Sequence, residues 1–548
     1  MKTDTGALPR SASLTLAGET RPALLDSAAW RVGLPSRPLL TFGAGVAWAG
    51  SADPPGWFQL SVRLDGRSVA ERRLNPRALR GWRDLSVPLD GAGRRGRLEI
   101  DLRLTDREGQ PLAPPPGLVL AAADPVIHDR DDYGRARGIV LVSIDTLRRD
   151  HVGAYGYARP TTPRIDALAG QGLVLDDAVS ASSWTLPAHL SLLTGSDPGA
   201  HGGVDMEHGF NRRLPALPEL LRARGYATQA VTSHLYVSGV YGLDQGFDHL
   251  DFHQDRKAND VADRAIDVLD RFGDRPFFVF LHFYDPHWHY DPPPETLALF
   301  ESSYTGTLSG NWQDFSKRTR ASLTPADLAH LLALYDGEIR FTDDQVGRIL
   351  DHLRERGLER NTLVLVTSDH GEEFLEHGSW EHQKTLYEEV VRVPLLLRGP
   401  GVPVRREGAQ ASLVDVAPTI LDWAGLPIPP SVQGRSLLRP ANERDAFGET
   451  DHTADGTRKL FLRGGQGRWK AIFSLHRDSG ALAREEWYDL ARDAGEASSG
   501  TPPAAHAEAL RQRALARWRA DRAGAAGPKV ELTPEQRERL RALGYVGP

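Results

Sequence analysis

The chain has 548 residues, which is too long for one ordinary core, so we expect two domains or one large domain with an accessory. Its hydrophobic content of 40% is that of a globular protein, and its net charge of −7 argues against nucleic acid as a partner. Without cysteine, it has neither a disulfide nor a thiol nucleophile. The sequence contains no run of about 18 apolar residues, so we expect a soluble chain without a membrane span. The compartment stays open, because a removed signal or lipid anchor would place the protein in the periplasm or outside the cell.

The first part of the chain predicts a β-sandwich. From about residue 11 to 127, short alternating runs are separated by Gly, Pro and Asp, which is typical of an antiparallel sandwich. We therefore expect an accessory domain over 1–127 and an Asp- and Arg-rich linker over 128–137. Four tryptophans favour core packing over a sugar-binding platform, because large aromatics dominate small cores: Trp30, Trp48, Trp57 and Trp82.

Three hydrophobic runs further along predict buried parallel strands. They cover 139–144, 276–284 and 361–368, and they are almost continuous, as in strands that are covered on both faces. Each run is followed by an aspartate: Asp145, Asp285 and Asp369. Helices predicted at 163–169 and 343–356 lie between the runs, which indicates an α/β domain over 138–440. Ligands of such sheets bind outside the carboxyl ends of the strands.

Two further regions complete the predicted organisation. The irregular stretch 291–323 carries four large aromatic residues, and we interpret it as a wall of the substrate site rather than a disordered loop. Beyond residue 440, the sequence indicates a small α+β region over 441–548. It ends with a charged helix near 534–543 that we expect to pack on the body of the protein.

A short helix is predicted around Thr185. Pro187 suits the first turn of a helix, and Gly195 suits its left-handed end. Thr185 would then lie just ahead of the helix N-terminus, where unpaired N–H groups favour an anion. His189, one turn into the helix, would reach back toward the hydroxyl. Taken alone, the pattern fits a threonine that merely caps a helix, so a functional role depends on the residues that surround it.

The aspartates at the strand ends predict a metal site. Adjacent carboxylates repel one another unless a cation lies between them. His370 follows Asp369 directly, and His287 and His289 follow Asp285. Mixed carboxylate and imidazole ligands favour zinc or manganese over calcium, which prefers oxygen ligands.

Several motifs in this region resemble those of the sulfatase family, within the alkaline phosphatase superfamily. They occur in the family's order, from about 138 to 440, at 144–151, 185–195, 285–287, 368–372, 377–378, 384–389, 392–394 and 414–419. Residues 487–490 resemble the family's C-terminal signature. The resemblance implies the family's mixed sheet flanked by helices, and the N-terminal sandwich lies outside it.

Departures from the family pattern bear on the chemistry. Family sulfatases place Cys or Ser two residues before the motif's proline, where it becomes formylglycine, and Arg two residues after it. Thr185 and His189 stand there in this chain, and a secondary alcohol cannot become the aldehyde by that route. Thr146 replaces the second Asp of the family's metal pair. What remains resembles the threonine-dependent branches of the superfamily. That resemblance implies four ligands for the metal that activates the hydroxyl: Asp145, Thr185, Asp369 and His370.

The number of metal ions is open. Asp285, His289 and His382 could supply a second zinc ion, which would help water to cleave a covalent Thr185 ester. In the alternative, one metal suffices. His287 and Lys384 then hold the oxygens of the anion, as the matching His and Lys do in sulfatases.

These features predict a metal-dependent hydrolase of phosphate esters, either phosphodiesters or phosphonate monoesters, with a covalent Thr185 intermediate. The alternative is a sulfatase that uses threonine and metal without formylglycine, because sulfate and phosphate esters are alike in charge and size. A non-catalytic binding protein is a minor alternative, because decay of the site would not leave so many suitable residues. We expect the substrate to be a small-molecule, glycan or lipid anionic ester. The leaving group and the oligomeric state stay open.

Overall fold

The computed structural model describes residues 2–3, 11–16, 19–25, 27–48, 56–74, 82–91, 93–129, 138–272, 276–301, 303–440, 443–451, 453, 455–465, 468–522 and 527–542. The chain begins with a β domain, continues into a mixed α/β domain and ends in a small antiparallel sheet with two helices. The predicted linker begins within the last strand of the β domain, and its remaining residues, 130–137, lie outside the described residues.

The N-terminal domain consists of two antiparallel sheets. Its strands are β1 (Lys2–Thr3), β2 (Ser11–Leu16), β3 (Glu19–Leu24), β4 (Ala28–Gly33), β5 (Pro38–Trp48), β6 (Trp57–Leu64), β7 (Arg67–Leu74), β8 (Arg83–Pro88), β9 (Arg95–Thr105), β10 (Pro111–Leu112) and β11 (Leu118–Asp129). One sheet has the order β1-β4-β9-β6-β7, with β10 on β9, and the other has β2-β3-β11-β5-β8. Apolar side chains from both sheets form one core. This confirms the predicted N-terminal sheet domain. Trp30 and Trp82 are buried, as core packing requires, whereas Trp48 and Trp57 are half-buried.

The α/β domain is organised around one mixed sheet. Its strands are β12 (Gly138–Ile144), β13 (Leu173–Leu175), β14 (Ala178–Val179), β15 (Ala227–Thr232), β16 (His249–Phe252), β17 (Phe277–Phe283), β18 (Thr362–Ser368), β19 (Glu373–Phe374), β20 (Trp380–Glu381), β21 (Leu395–Arg398), β22 (Arg405–Glu407) and β23 (Ala411–Ser412). The sheet order is β16-β15-β17-β12-β18-β21-β13-β22, while β14 pairs with β23 and β19 with β20. The central strands β17, β12 and β18 are parallel. The predicted α/β class is therefore confirmed.

Helices cover both faces of this sheet. They are α1 (Pro163–Ala169), α2 (Thr185–Thr194), α3 (Pro198–His201), α4 (Leu217–Arg222), α5 (Ala258–Arg271), α6 (Pro294–Leu297), α7 (Trp312–Phe315), α8 (Pro325–Glu355), α9 (Glu388–Val391) and α10 (Val416–Trp423). Because neighbouring residues of β12 point to opposite faces, Ile139 packs in the core with α2 and α10, and Val140 packs in the core with α1, α5 and α8. This two-sided burial explains the uninterrupted hydrophobic runs in the sequence.

Two helix ends differ from the sequence prediction. Helix α8 begins at Pro325 instead of near 343, because Thr324 and Asp327 form a capping box there. Gly170 follows α1 as predicted, but its φ of −64° is right-handed, so the chain does not use the glycine's conformational freedom.

The C-terminal region is the predicted small α+β unit. Strands β24 (Ala446–Thr450), β25 (Thr457–Arg463), β26 (Trp469–His476) and β27 (Leu482–Asp489) form an antiparallel sheet in that order. Helix α11 (Ala504–Asp521) buries Leu510 and Ala514 against it. Helix α12 (Pro534–Ala542) buries Leu540 in the core of the α/β domain, as expected for a tail that packs on the body. Among the residues described, no helix is long and apolar enough to cross a membrane.

Candidate active site

The carboxyl edge of the central sheet brings together three of the predicted metal ligands. Ile144 at the end of β12 is in register with Ser368 at the end of β18. Asp145 directly follows β12, and Asp369 and His370 directly follow β18. One ligand atom from each of these three residues lies within 4.8 Å of the others, and all three side chains are fully buried. The structure thus brings these three predicted ligands together, and their binding of a metal stays a prediction.

The donor set fits a divalent cation. Oδ1 of Asp145 and Oδ2 of Asp369 are buried and accept no hydrogen bond from any residue that the structure describes. Burying an unsatisfied carboxylate oxygen costs free energy, and a cation removes that cost. Burial and the charge of Asp369 raise the pKa of Asp145 in the protein without metal, which shows the repulsion that a cation would relieve.

Hydrogen bonds orient the cluster. Nδ1 of His370 lies 2.9 Å from the carbonyl oxygen of Gly371, to which it donates. Its Nε2, 3.2 Å from Oδ2 of Asp369, is therefore the atom available to a metal. The backbone N–H groups of Thr146 and His370 donate to Oδ1 of Asp369 at 3.3 and 2.9 Å. This leaves Oδ2 facing the cluster.

Thr185 lies beside this cluster at the start of α2. Its Oγ1 is 3.5 Å from Nε2 of His370. Trp184 before it is extended, and Gly195 ends the helix with a φ of +67°, as predicted. The hydroxyl is therefore held on a rigid element next to the predicted metal ligands.

The sequence placed His189 correctly beside Thr185 but not its contacts. Instead of reaching the hydroxyl, Nδ1 of His189 lies 2.8 Å from the Thr185 carbonyl oxygen, and its Nε2 lies 3.0 Å from Oγ of Ser143. Burial lowers the pKa of His189 to about 3, so the ring is neutral. The ring thus links the first turn of α2 to β12, and its Nδ1 also lies 3.5 Å from Oδ2 of Asp369. A catalytic role for His189 stays a prediction.

His287 and His382 border the cluster. The ring centroid of His382 lies 4.3 Å from that of His370 and 5.1 Å from that of His287. Nδ1 of His382 is 3.1 Å from Oε1 of Glu372, and Nδ1 of His287 is 2.9 Å from the carbonyl oxygen of Trp288. Burial lowers the pKa of His287 to about 3. Both predicted residues thus reach the site.

The structure does not bring together the three residues predicted to bind a second zinc ion: Asp285, His289 and His382. The Asp285 carboxylate accepts the N–H of Ala258 at 2.7 Å and the ammonium of Lys257 at 3.2 Å, so it caps α5. Nδ1 of His289 accepts the N–H of Trp312 at 2.7 Å, and its ring is half-buried. Asp285 follows its strand as Asp145 does, but its carboxylate bonds to the start of α5, the helix that precedes this strand in the chain.

Lys384 lies near the site but is already paired. Its Nζ is 2.6 Å from Oε2 of Glu381, and 41% of its side chain is exposed. Its predicted contact with the anion would require this pair to open.

An aromatic pair lies beside the site. Within the predicted wall over 291–323, Trp312 on α7 stacks on Trp288 with ring centroids 4.9 Å apart. Trp288 in turn lies 4.7 Å from His382, which places this aromatic pair beside the site.

Two residues of the site were missed by sequence reasoning. Nε2 of His282, on β17, lies 3.3 Å from Oδ2 of Asp145. Glu372 orients His382, as described above. The signal for His282 was a single imidazole within an otherwise hydrophobic strand, and the signal for Glu372 was its place in the motif that follows β18.

Comparisons with known proteins match the part of the chain that contains this cluster. A family model described as Sulfatase matches residues 137–426. The N-sulphoglucosamine sulphohydrolase of Homo sapiens is 31% identical over 337 residues, which cover 55% of this chain and 66% of that protein. The N-acetylglucosamine-6-O-sulfatase of Bacteroides thetaiotaomicron is 25% identical, over 56% of this chain and 71% of that protein.

Solved structures share the fold. One was determined with its substrate D-glucosamine-2-N,6-O-disulfate, and it matches with a TM-score of 0.58 and 21% identity over 70% of this chain and 98% of that chain. The phosphonate monoester hydrolase of Agrobacterium radiobacter matches with a TM-score of 0.56 and 20% identity, over 73% of this chain and 99% of that chain.

Proposed function

Because this chain belongs to the sulfatase family of the alkaline phosphatase superfamily, and is therefore a hydrolase of that family, we propose that it cleaves sulfate esters with Thr185 as the nucleophile. The observation that carries the proposal is the position of the Thr185 hydroxyl, 3.5 Å from Nε2 of His370 and next to two unsatisfied carboxylate oxygens. A nucleophilic hydroxyl needs such activation, because it is weak at its ordinary pKa.

The relatives change the order of the two substrate hypotheses. The sequence alone favoured phosphate esters, with sulfate esters as the alternative. The relatives named above hydrolyse sulfate groups according to their names, which supports the alternative. One structural neighbour takes D-glucosamine-2-N,6-O-disulfate as its substrate, so a sulfated glycan is the substrate class that we propose.

The charge of the site supports a singly charged ester. Two carboxylates, from Asp145 and Asp369, would be balanced by one divalent cation. No Lys or Arg in the described part of the chain makes a hydrogen bond or an ion pair with the three clustered residues or with Thr185. A sulfate ester carries one negative charge, whereas a phosphate monoester carries two and would need further cations.

Residues of this chain account for each step of the proposed hydrolysis. Asp145, Asp369, His370 and the Thr185 oxygen would hold the metal, for which the imidazole ligand favours zinc over calcium. A bound metal would lower the pKa of the hydroxyl and neutralise charge that develops on the ester. Oγ1 of Thr185 attacks the sulfur as the bond to the leaving alkoxide breaks, and the alkoxide takes up a proton. Water then cleaves the Thr185 sulfate, which restores the hydroxyl and releases sulfate.

A second candidate is the hydrolysis of phosphodiesters or phosphonate monoesters, since these esters also carry a single charge. The test compares 4-nitrophenyl sulfate with methyl 4-nitrophenyl phosphate and 4-nitrophenyl phenylphosphonate, which share one leaving group. We expect a higher kcat/KM for the sulfate, and an intact mass without an aldehyde-sized change at Thr185. A higher kcat/KM for either phosphorus ester would replace the main proposal with the second candidate.

A further inference from the structure

An arginine-lined cavity lies between the central sheet and the C-terminal sheet. Its volume is about 350 Å³, within the range of small-molecule pockets. Its lining includes Arg149 after β12, Arg392 after α9, Arg463 at the end of β25 and Arg468 before β26, with Leu490 and Ala494 on an apolar side. None of the lining residues belongs to the metal cluster.

The carboxylates around this cavity are paired with arginine and lysine side chains. Asp177 accepts two hydrogen bonds from Arg463, at 2.7 and 2.9 Å, and its Oδ1 lies 3.4 Å from Nε of Arg392. Glu388 pairs with the buried ammonium of Lys470 at 3.0 Å. Asp176 pairs with Arg406, whose Nε lies 3.3 Å away. Arg468 pairs with Asp489, so among the described residues Arg149 is the cavity arginine whose guanidinium has no carboxylate partner.

Arg149 is the unbalanced group. Its guanidinium makes no hydrogen bond or ion pair with any residue in the part of the chain that the structure describes, and its Nε is buried. Its guanidinium lies over the ring of Tyr155, 4.4 Å from the centroid, which fixes its plane. Burial, and next the charge of Arg392, lower the pKa of Arg149. Two guanidinium groups that repel each other in a half-buried cavity are stabilised when an anion binds between them.

We propose that this cavity binds a tetrahedral oxyanion, sulfate or phosphate, on Arg149 and Arg392. Guanidinium groups present parallel N–H donors that match two oxygens of such an anion. Arg463 adds a third guanidinium, of whose side chain only 3% is exposed. Its Nη1 lies 3.5 Å from Oε2 of Glu388, and its buried Nε makes no hydrogen bond to the described residues. The cavity is separate from the active site. Asp176 and Asp369 follow β13 and β18, which are two strand spacings apart, or about 10 Å.

Equilibrium dialysis of the metal-loaded full chain against radiolabelled inorganic sulfate tests the proposal. We expect Arg149→Gln to lower the affinity of this site for sulfate at least 10-fold. At a sulfate concentration that just saturates the wild type, the variant should therefore bind about one equivalent fewer, and Arg149→Lys should recover part of the affinity. Arg439→Gln is the matched control, because it removes the same charge from an exposed arginine that pairs with Asp422. The inference is overturned if Arg149→Gln and the wild type bind the same number of equivalents with the same affinity.

Two further variants separate this result from other causes. Arg392→Gln should reproduce the loss, and it replaces Arg149→Gln as the test if circular dichroism shows that the latter is unfolded. Thr185→Ala should keep the equivalent that depends on Arg149, so the cavity is tested even if the proposed nucleophile is wrong. Loss of that equivalent in Thr185→Ala would assign the bound sulfate to the active site and overturn the inference.

The source of the anion is tested separately with a monosulfated and a disulfated saccharide. If the cavity takes a second sulfate group of the substrate, Arg149→Gln raises KM several-fold for the disulfated saccharide only. If it takes a free anion, KM is unchanged for both saccharides while the loss in dialysis persists. Both results support an oxyanion site. A similar rise in KM for the monosulfated saccharide would contradict it, because that substrate has no second group.

Discussion

Nε2 of His282 lies 3.3 Å from Oδ2 of Asp145, and both side chains are completely buried at neighbouring strand ends. Nδ1 of the same ring accepts the N–H of Ser233 at 3.4 Å, so the proton is on Nε2 and is donated to the carboxylate. The bond turns Oδ1 of Asp145 toward Asp369 and His370. A hydrogen-bonded carboxylate of this kind is more rigid and a better metal ligand.

We therefore expect His282→Ala to weaken metal binding by roughly 10- to 100-fold, the usual effect of losing an outer hydrogen bond to a metal ligand. Competition with a chromophoric chelator measures this affinity. His282→Gln should recover part of the loss, because an amide can donate to Asp145. The control is His352→Gln, which breaks a peripheral pair with Asp270 and should bind metal normally. Unchanged affinity in His282→Ala would show that Asp145 is oriented by other contacts.

Thr185→Ala should lower kcat by about 10³-fold or more, because it removes the attacking oxygen, although the metal and the bound substrate can sustain some residual turnover. Thr185→Ser should keep part of the rate. It retains the hydroxyl but loses the methyl group that restricts the rotamer. Steady-state kinetics with the preferred 4-nitrophenyl ester measure both.

Thr194→Ala controls for the loss of a threonine from the same helix. Its Oγ1 donates to the carbonyl oxygen of Leu190 at 2.7 Å and takes no part in the site, so we expect a nearly normal kcat. If Thr185→Ala turned over substrate at the wild-type rate, water would be the nucleophile and no Thr185 ester would form.

Sequence reasoning could predict that Asp145 and Asp369 lie together because two regularities coincide. Continuous hydrophobic runs indicate parallel strands, and the carboxyl ends of such strands meet at one edge of the sheet. Asp145 and Asp369 follow this rule. Asp285 has the same pattern in sequence, yet its carboxylate caps α5, the helix that precedes its strand, and the local sequence does not show that this helix begins within reach of the side chain.

Two other features were missed, one because its contact is distant in sequence and one because a local signal was overlooked. His282 could not be assigned, since its partner Asp145 is 137 residues away. The start of α8 was missed although Thr324-Pro325 and Asp327 are a local start signal, because the hydrophobic periodicity was recognised only in the second half of the helix. The fold class was predictable because binary patterning is a local property of the chain.

Metal analysis should distinguish one ion from two. Since Asp285 and His289 bond to Ala258 and Trp312, we expect His289→Ala and Asp285→Asn to keep the metal content of the wild type. Asp285→Asn should instead lower Tm, since loss of a charged cap costs about 1 kcal/mol. Elemental analysis after removal of excess metal gives the count. Two ions in the wild type, with one lost in either variant, would restore the two-metal hypothesis.

The last prediction concerns the pH dependence of stability. Nδ1 of His377 lies 2.6 Å from Oε1 of Glu389, and its Nε2 lies 3.2 Å from the carbonyl oxygen of Glu496. Both ring nitrogens face acceptors, so the folded protein favours the doubly protonated ring. Burial by itself would lower the pKa of His377, but Glu389 outweighs it and raises this pKa from the ordinary 6.5 to about 9.

Because the folded protein holds this proton more tightly than the unfolded chain, the pair stabilises the fold fully below pH 6.5, and the contribution disappears as the pH rises through about 9. We expect the free energy of unfolding, measured with urea, to fall less between pH 6.5 and 9.5 in His377→Gln than in the wild type. Glu389→Gln should flatten the same part of the profile, since it removes the charge that raises the pKa. An identical fall in all three proteins would mean that His377 is neutral in the folded state across this range.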